Sequence, residues 1–266
     1  LNMIANESFM DSAVLRNSVV SHAKRIGYTP RSATCAKAVI NYTISAASNG
    51  PSTLTLPQFS TFTTSVNGML YSFYTTEAIT VNGASNVYNF NNITVQEGSP
   101  LSYSYAVDDG VPFVIPNANA DITTLTVRVQ DSATSSVYET WSRSDSIVTA
   151  DATTKAFWVK EIDDGLYEVT FGDDVVGKAL SAGNIVHLDY FVSNYDAPNG
   201  ARLFNYTGRA ILNNAGTSVT CLTPAYGGGR PEDEFILKYL ICSDLYVDEI
   251  ELKVTELAPP ESTVAV

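Results

Sequence analysis

The sequence predicts a mainly β protein in which short N-terminal helices precede antiparallel, sandwich-like or barrel-like β domains. Three observations support this prediction. Apolar residues follow a convincing helical spacing only within residues 1–27. From about Lys37 onward, apolar and polar residues alternate. Turn residues then separate short strand-like runs, a pattern that favours sandwiches or barrels over βαβ units.

The N-terminal segment is predicted to form two short helices or one kinked helix. Asp11 and Ser12 can cap a helix over residues 12–26, after an earlier helical stretch that ends near Met10. Gly27 stands where a C-terminal cap belongs, and Pro30 prevents continuation. One face of the second helix carries an apolar stripe, predicted to pack either against other helices or against the chain's own β domain: Leu15, Val19, Ala23 and Ile26.

Hairpins follow along the chain. The run at 37–45 alternates like a strand with one buried face, and Asn67-Gly68 joins strand-like runs at 61–66 and 69–74. Asp163-Asp164-Gly165 predicts a second hairpin, between 157–161 and 166–171. Further strands are expected at 124–130 and 185–192.

The C-terminal region differs from the strand-like part of the chain. Gly227 to Gly229 indicate a linker, and Glu232 to Glu234 favour the start of a short helix. Residues 235–266 have a mixed strand and loop pattern.

Composition and charge limit the possible partners. The chain has 266 residues, of which 45% are hydrophobic, and a formal net charge of −13. It should therefore fold, and it should bind neither nucleic acid nor an anionic membrane surface. Cys35, Cys221 and Cys242 are too widely separated for a metal pair or a disulfide framework, which favours free thiols. With no secretory signal or membrane-spanning run, the chain is expected in a cytoplasm.

The sequence contains no recognisable catalytic or metal-binding motif. His187 and Asp189 share a strand face, which favours a surface pair over a catalytic dyad. The G-x-S-x-G motif of many hydrolases and the H-E-x-x-H motif of zinc metalloproteases are absent. The aspartate pairs beside glycines are typical of turns. We therefore predict a non-enzymatic protein without metal or cofactor.

Two segments resemble phage baseplate proteins. ESFM at 7–10, LRNSVV at 15–20 and GYTP at 27–30 resemble the helical opening of T-even-type baseplate wedge subunits. A strand, a glycine turn and a returning strand are similar to the wider baseplate-J-like family. Asp174 and Tyr195 stand where that family commonly has glycine. The resemblance covers about residues 1–230, and the motif residues are Phe171, Gly172, Asp173, Gly177, Gly183, Asn184, Tyr190, Asn199 and Gly200.

The resemblance implies a structural virion protein of the tail baseplate, assembled in the host cytoplasm. It would pair with another copy of itself, with other wedge subunits and with hub or sheath-proximal proteins, in a ring that helps to couple baseplate rearrangement to sheath contraction. Because Leu1 is not methionine and opens a helix-like stretch, residues are expected upstream. An alternative is a receptor- or carbohydrate-binding β domain of a phage tail.

The resemblance also implies a domain division. Residues 1–30 would be a helical segment that continues upstream. Residues 31–60 and 150–226 would form a baseplate-J-like β domain, and 61–149 an inserted or second β domain. Residues 227–266 would be a linker and tail.

Overall fold

A computed structural model describes residues 2–25, 28, 30–47, 49–108, 110–144, 150–212, 215–233 and 235–239. The chain divides into two compact units: Leu1–Arg31 with Glu232–Val266, and Ser32–Pro231. Among the described residues, the regular secondary structure of the first unit is helical and that of the second is mainly strand. The predicted fold class, mainly β with short N-terminal helices, is confirmed. Within the described part of the chain, no helix is long and apolar enough to cross a membrane.

The described N-terminal segment forms two short helices, which was one of the two predicted alternatives. They are α1 (Asn2–Glu7) and α2 (Arg16–Arg25), and residues 235–239 are helical as well. The predicted start of the second helix at residue 12 is wrong. The Glu7 carboxylate instead accepts hydrogen bonds from the backbone N–H groups of Val14 (3.0 Å) and Leu15 (3.3 Å), just before α2 begins. A carboxylate there compensates the unpaired N–H groups of the helix terminus.

The C-terminal part of this unit differs from the predicted strand and loop over 235–239, where it is helical. The predicted acidic helix start is confirmed, because the Asp233 carboxylate accepts a hydrogen bond from the backbone N–H of Ile236 at 2.8 Å. The predicted Gly27 cap and the tail beyond residue 239 lie outside the described residues.

The described residues of the second unit form fifteen strands. In chain order they are β1 (Lys37–Ser45), β2 (Thr53–Leu56), β3 (Thr61–Val66), β4 (Met69–Thr75), β5 (Ile79–Asn82), β6 (Val87–Glu97), β7 (Ser99–Ala106), β8 (Phe113–Ile115), β9 (Ala120–Gln130), β10 (Glu139–Arg143), β11 (Ala156–Glu161), β12 (Tyr167–Phe171), β13 (Ile185–Val192), β14 (Asn205–Tyr206) and β15 (Gly216–Tyr226).

The first large sheet has six strands in the order β14-β3-β4-β6-β1-β15, all antiparallel. Its core follows the predicted alternation of β1, whose even-numbered residues from 38 to 44 are buried. The Asn67-Gly68 hairpin is confirmed: Val66 pairs with Met69, and both turn residues have positive φ (51° and 81°). A separate two-stranded sheet pairs β2 with β5.

The second large sheet has seven strands in the order β7-β13-β9-β10-β11-β12-β8. The predicted hairpin at Asp163 to Gly165 is confirmed, because it joins the antiparallel pair β11 and β12 through a single 3-10 turn. One pairing departs from the antiparallel prediction: β10 and β11 run parallel, with Ser142 opposite Ala156.

The domain division expected from the resemblance stays a prediction. The six-stranded sheet takes its strands from residues 37–97 and 205–226, and the seven-stranded sheet takes its strands from 99–192. Each large sheet therefore contains strands from both of the expected β domains.

Candidate functional site

The glycine turn at 171–178 is held by its own backbone and by two aspartates. The Asp173 carboxylate accepts hydrogen bonds from the backbone N–H groups of Val175 (3.1 Å) and Val176 (2.9 Å), which lower its pKa. Asp174 adopts a left-handed φ of 64°, and its carboxylate accepts a hydrogen bond from the N–H of Ala179 at 2.8 Å. Asp174 thus holds a left-handed backbone conformation that glycine adopts more easily.

The two glycines of this turn make close backbone contacts. A Cβ on Gly172 would lie 2.2 Å from the carbonyl oxygen of Gly177. Gly177 has a φ of 79°, and a Cβ there would meet the Trp158 ring at 2.9 Å. Its N–H donates to the Asp151 carbonyl oxygen at 3.0 Å, so the turn also fixes the loop that precedes β11. Phe171, at the end of β12, contacts the Trp141 ring edge to face with 5.2 Å between centroids.

The return from this turn to β13 is fixed by Gly183 and Asn184. Gly183 has a φ of 88° with open space around its Cβ position. The Asn184 side chain accepts from the Ser181 N–H (2.9 Å) and donates to the Asp131 carbonyl oxygen (3.1 Å). Further along β13, Tyr190 is buried in the core of the seven-stranded sheet, and burial raises its pKa.

Asn199 and Gly200 anchor the chain beside the end of β15. The Asn199 amide bonds both backbone groups of Gly228: it donates to the carbonyl oxygen at 2.8 Å and accepts from the N–H at 3.0 Å. The N–H of Gly200 donates to the Ala225 carbonyl oxygen at 2.7 Å. Tyr195, with a left-handed φ of 61°, donates from its hydroxyl to Asn119. The glycines, asparagines and aspartate of the motif therefore serve backbone geometry at separate places along the chain, whereas Phe171 and Tyr190 pack their rings in the seven-stranded sheet.

A buried polar junction between the two large sheets was missed by sequence reasoning. Asp121 at the start of β9 accepts a hydrogen bond from the N–H of Cys35 at 2.8 Å, just before β1. The Glu97 carboxylate at the end of β6 accepts one from the Asn194 side chain at 2.6 Å, beyond β13. Both carboxylates are at most 1% exposed. Their partners are far away in sequence, so no local pattern indicated them.

Burial raises the pKa of the Glu97 carboxyl, partly opposed by its bonds to Asn194, while the nearby Asp121 charge raises it further. The folded protein therefore binds a proton at Glu97 more readily than the unfolded chain. The stability that this proton contributes is fully present below the unfolded pKa and is lost as pH rises through the folded value.

A Glu97→Gln substitution should therefore change the pH dependence of stability. The wild-type protein should lose stability relative to the variant as pH rises above 4.5, because only Glu97 acquires a buried charge. Urea unfolding of both proteins across that range measures the difference. A stability difference that does not vary with pH would contradict the prediction.

The predicted apolar stripe of α2 is only partly brought together. Val19 and Ala23 are fully buried and pack with Leu237 and Ala13. Leu15 lies before the helix and is 48% exposed, because the helix starts later than predicted. Ile26 lies outside the described residues. Val19 and Ala23 are therefore covered within the chain itself, and the packing of Leu15 on a partner stays a prediction.

Glu232 is buried and joins the N-terminal and C-terminal parts of the helical unit. Its carboxylate accepts hydrogen bonds from the Tyr28 hydroxyl (2.9 Å) and the Arg31 N–H (3.0 Å). The Arg16 guanidinium donates to its carbonyl oxygen. The acidic residue expected to open a helix therefore also holds the unit together.

The histidines make ordinary hydrogen bonds. His187 contacts the Ser104 hydroxyl at 2.8 Å and the Gln130 side chain at 2.7 Å. Asp189 instead forms an ion pair with Arg128 at 2.7 Å. In the described ranges, no three His, Cys, Asp or Glu side chains lie close enough together to hold a metal ion.

The glycine, asparagine and aspartate residues of the motif thus fix turns and strand junctions in a mainly β chain. No protein-family model matches the chain. It is similar to the baseplate wedge protein gp6 of Enterobacteria phage T4, with 27% identity over 259 residues. The match covers 87% of this chain and 38% of that protein, so the chain spans about two fifths of its relative's length. The resemblance to T-even-type baseplate wedge proteins is thereby confirmed.

Proposed function

We propose that this chain is a structural subunit of a baseplate wedge, which assembles into the ring around the tail hub and helps to couple baseplate rearrangement to sheath contraction. Assembly would take place in the host cytoplasm and the mature protein would lie in the virion tail. Its partners would be a second copy, other wedge subunits, and hub or sheath-proximal proteins. The similarity to a phage baseplate wedge protein supports this proposal.

One structural observation carries the proposal: the helical unit exposes many large apolar side chains. At least two fifths of each of these side chains is exposed, although the unit already buries a small core. Apolar surface concentrated in this way is typical of protein–protein interfaces. The exposed residues are Met3, Ile4, Phe9, Val14, Leu15, Phe235, Ile236 and Tyr239.

This surface suits a helical partner. Helices α1 and α2 are short, and isolated helices of such length are marginal in water without tertiary packing. Contact with helices of another wedge subunit would cover the apolar side chains and stabilise these segments at the same time. The expected interface is therefore a helix bundle shared between subunits.

A variant with Phe9, Val14 and Phe235 all replaced by serine should lose association with wedge partners. These side chains are 69%, 70% and 76% exposed, so the fold should persist and only the interface should weaken. Co-purification with the other wedge subunits measures the loss. Val175→Ser, at an equally exposed apolar position in the strand unit, is the matched control and should assemble normally.

Electron microscopy of the particle that contains this chain tests the proposal as a whole. Density for the chain in a sixfold ring at the end of a contractile tail is the expected result. Density in a capsid or at a fibre tip would overturn it.

The alternative, a receptor- or carbohydrate-binding β domain, is favoured by one feature. A groove of about 750 Å³ beside the large sheets is lined by Phe59, Leu101 and the Arg128–Asp189 ion pair. An apolar wall beside fixed polar groups is typical of small-ligand sites. Glycan binding by the purified protein that Arg128→Ala abolishes, together with failure to join wedge partners, would favour this second function.

A further inference from the structure

Four Asn-Gly pairs occur in the chain, and they differ in what holds their glycines. They begin at Asn49, Asn67, Asn82 and Asn199. Asparagine is a chemically labile residue, and a following glycine favours its deamidation because no side chain hinders the glycine nitrogen. Since the dipeptide is the same in all four places, the surrounding structure decides which of them react in the folded protein.

The reaction begins at the backbone N–H of the glycine. After this nitrogen loses its proton to solvent, it attacks the side-chain carbonyl carbon of the asparagine, which forms a five-membered succinimide and expels ammonia. Water then opens the ring at either carbonyl and leaves aspartate or isoaspartate, so that one water is consumed for each ammonia released. The peptide plane must turn towards the side chain before attack. A hydrogen bond that holds the glycine N–H therefore opposes the reaction.

Two of the pairs are held by backbone hydrogen bonds. The N–H of Gly200 donates to a carbonyl oxygen of β15 at 2.7 Å, and the Asn199 side chain is itself held by Gly228. The N–H of Gly83 donates to the Ser52 carbonyl oxygen at 2.8 Å, next to the pairing of β2 with β5. In both pairs the nitrogen cannot approach the side chain unless the local structure opens.

The pair at 49–50 is held less firmly. The N–H of Gly50 donates to the side-chain oxygen of Asn86 at 3.1 Å. Asn86 is exposed, so water competes for this hydrogen bond and weakens it. Asn49 should therefore react at a rate between those of a protected and an unprotected site.

Asn67-Gly68 is the pair with the least restraint. The hairpin closes through the pairing of Val66 with Met69, which leaves both turn residues outside the ladder and exposed. Within the part of the chain that the structure describes, neither the Gly68 N–H nor the Asn67 side chain has a hydrogen-bond partner. The space around Gly68 is open as well, since a Cβ there would meet nothing within 4 Å.

We propose that Asn67 deamidates spontaneously in the folded protein, whereas Asn82 and Asn199 are protected by the fold. The reaction replaces a neutral amide by a carboxylate beside Met69 and Leu70, which are 64% and 71% exposed. Isoaspartate also lengthens the backbone of a two-residue turn that needs two positive φ angles. The tip of the β3–β4 hairpin thereby changes with time from neutral to charged. This chemistry goes beyond the proposed function and does not depend on it.

Peptide mapping of the full-length chain by mass spectrometry tests the proposal. Folded protein and protein unfolded in guanidinium chloride are incubated in mildly alkaline buffer, then digested briefly at acidic pH to prevent conversion during preparation. The unfolded chain should convert at all four asparagines. In the folded protein, Asn67 should convert within about tenfold of its unfolded rate. Asn82 and Asn199 should be slowed about a hundredfold or more, because they react only after local opening.

An Asn86→Gly variant tests the role of the hydrogen bond directly. Asn86 has a left-handed φ of 64°, which glycine adopts easily, so the Gly50 N–H loses its acceptor without strain in the turn. Asn49 should then convert about threefold or more faster than in the wild type. Ser85→Gly is the matched control, since Ser85 is the adjacent exposed residue with a left-handed φ of 51°. It should convert at the wild-type rate.

Each remaining outcome overturns the proposal. In the folded protein, these are an unchanged Asn67 when the unfolded chain converts, equal rates at all four sites, or faster conversion at Asn82 or Asn199 than at Asn67. The same holds if Asn49 converts no faster in Asn86→Gly than in Ser85→Gly, because the glycine hydrogen bond would then not control the reaction.

Discussion

An Asp121→Ala variant is expected to unfold with a free energy about 3 kcal/mol below that of the wild type, since a buried donor loses a charged acceptor. The carboxylate accepts hydrogen bonds from the N–H of Cys35 (2.8 Å) and from the N–H and hydroxyl of Thr123 (2.9 and 2.6 Å). Asp121 is 1% exposed and Cys35 is 2% exposed, so water cannot readily replace the first bond.

Asp173→Ala is the matched control for this prediction. That carboxylate also accepts two backbone hydrogen bonds, from Val175 and Val176, but it is exposed and water can take its place. Its loss should therefore cost about 1 kcal/mol or less. Urea unfolding measures the loss of unfolding free energy in each variant, provided that the m-values are equal. Coinciding unfolding midpoints for the two variants would contradict the predicted contribution of the buried Asp121 hydrogen bond.

A Gly172→Ala variant should lose about 3 kcal/mol of stability, through a different mechanism. The new methyl group would lie 2.2 Å from the carbonyl carbon and oxygen of Gly177 and 2.5 Å from the carbonyl oxygen of Val176. Those atoms are backbone, so no side-chain rotation can relieve the overlap, and the whole turn must shift. The loop that Gly177 holds through Asp151 should be disturbed with it.

Gly183→Ala separates this overlap from conformational strain. Gly183 needs a φ of 88°, but a Cβ there meets nothing within 4 Å. The cost should therefore be about 1 kcal/mol, from the left-handed backbone alone. Thermal unfolding of the two alanine variants measures the contrast, and a Gly183→Ala variant as unstable as Gly172→Ala would refute the steric explanation.

Local features of the fold were predictable because neighbouring residues determine them. Asn67-Gly68 supplies both positive φ angles of its hairpin, and the alternation in β1 fixes which residues face the core. The start of α2 was not predictable from Asp11 and Ser12, because Glu7 reaches it from the preceding helix.

Long-range features were not predictable from the residues alone. Turn signals identify hairpins but do not say which sheet receives them, and nothing near β10 indicates its parallel pairing with β11. Asp121 and Glu97 are single acidic residues whose partners, Cys35 and Asn194, lie 86 and 97 residues away. The motif glycines were identified by resemblance, whereas the positive φ of Asp174 and Tyr195 emerged only in the structure.

The two points where the chain passes between the large sheets lie side by side. It leaves the six-stranded sheet at Gly98, whose Cβ position is 2.6 Å from the carbonyl oxygen of Val192, where it leaves the seven-stranded sheet. For the six-stranded sheet, everything from β7 to β13 is thus a loop whose ends already touch. Closing a loop costs entropy that grows only slowly with its length. Loops between β7 and β13 that lie away from the Asp121–Cys35 hydrogen bond can therefore change in length with little effect on the six-stranded sheet.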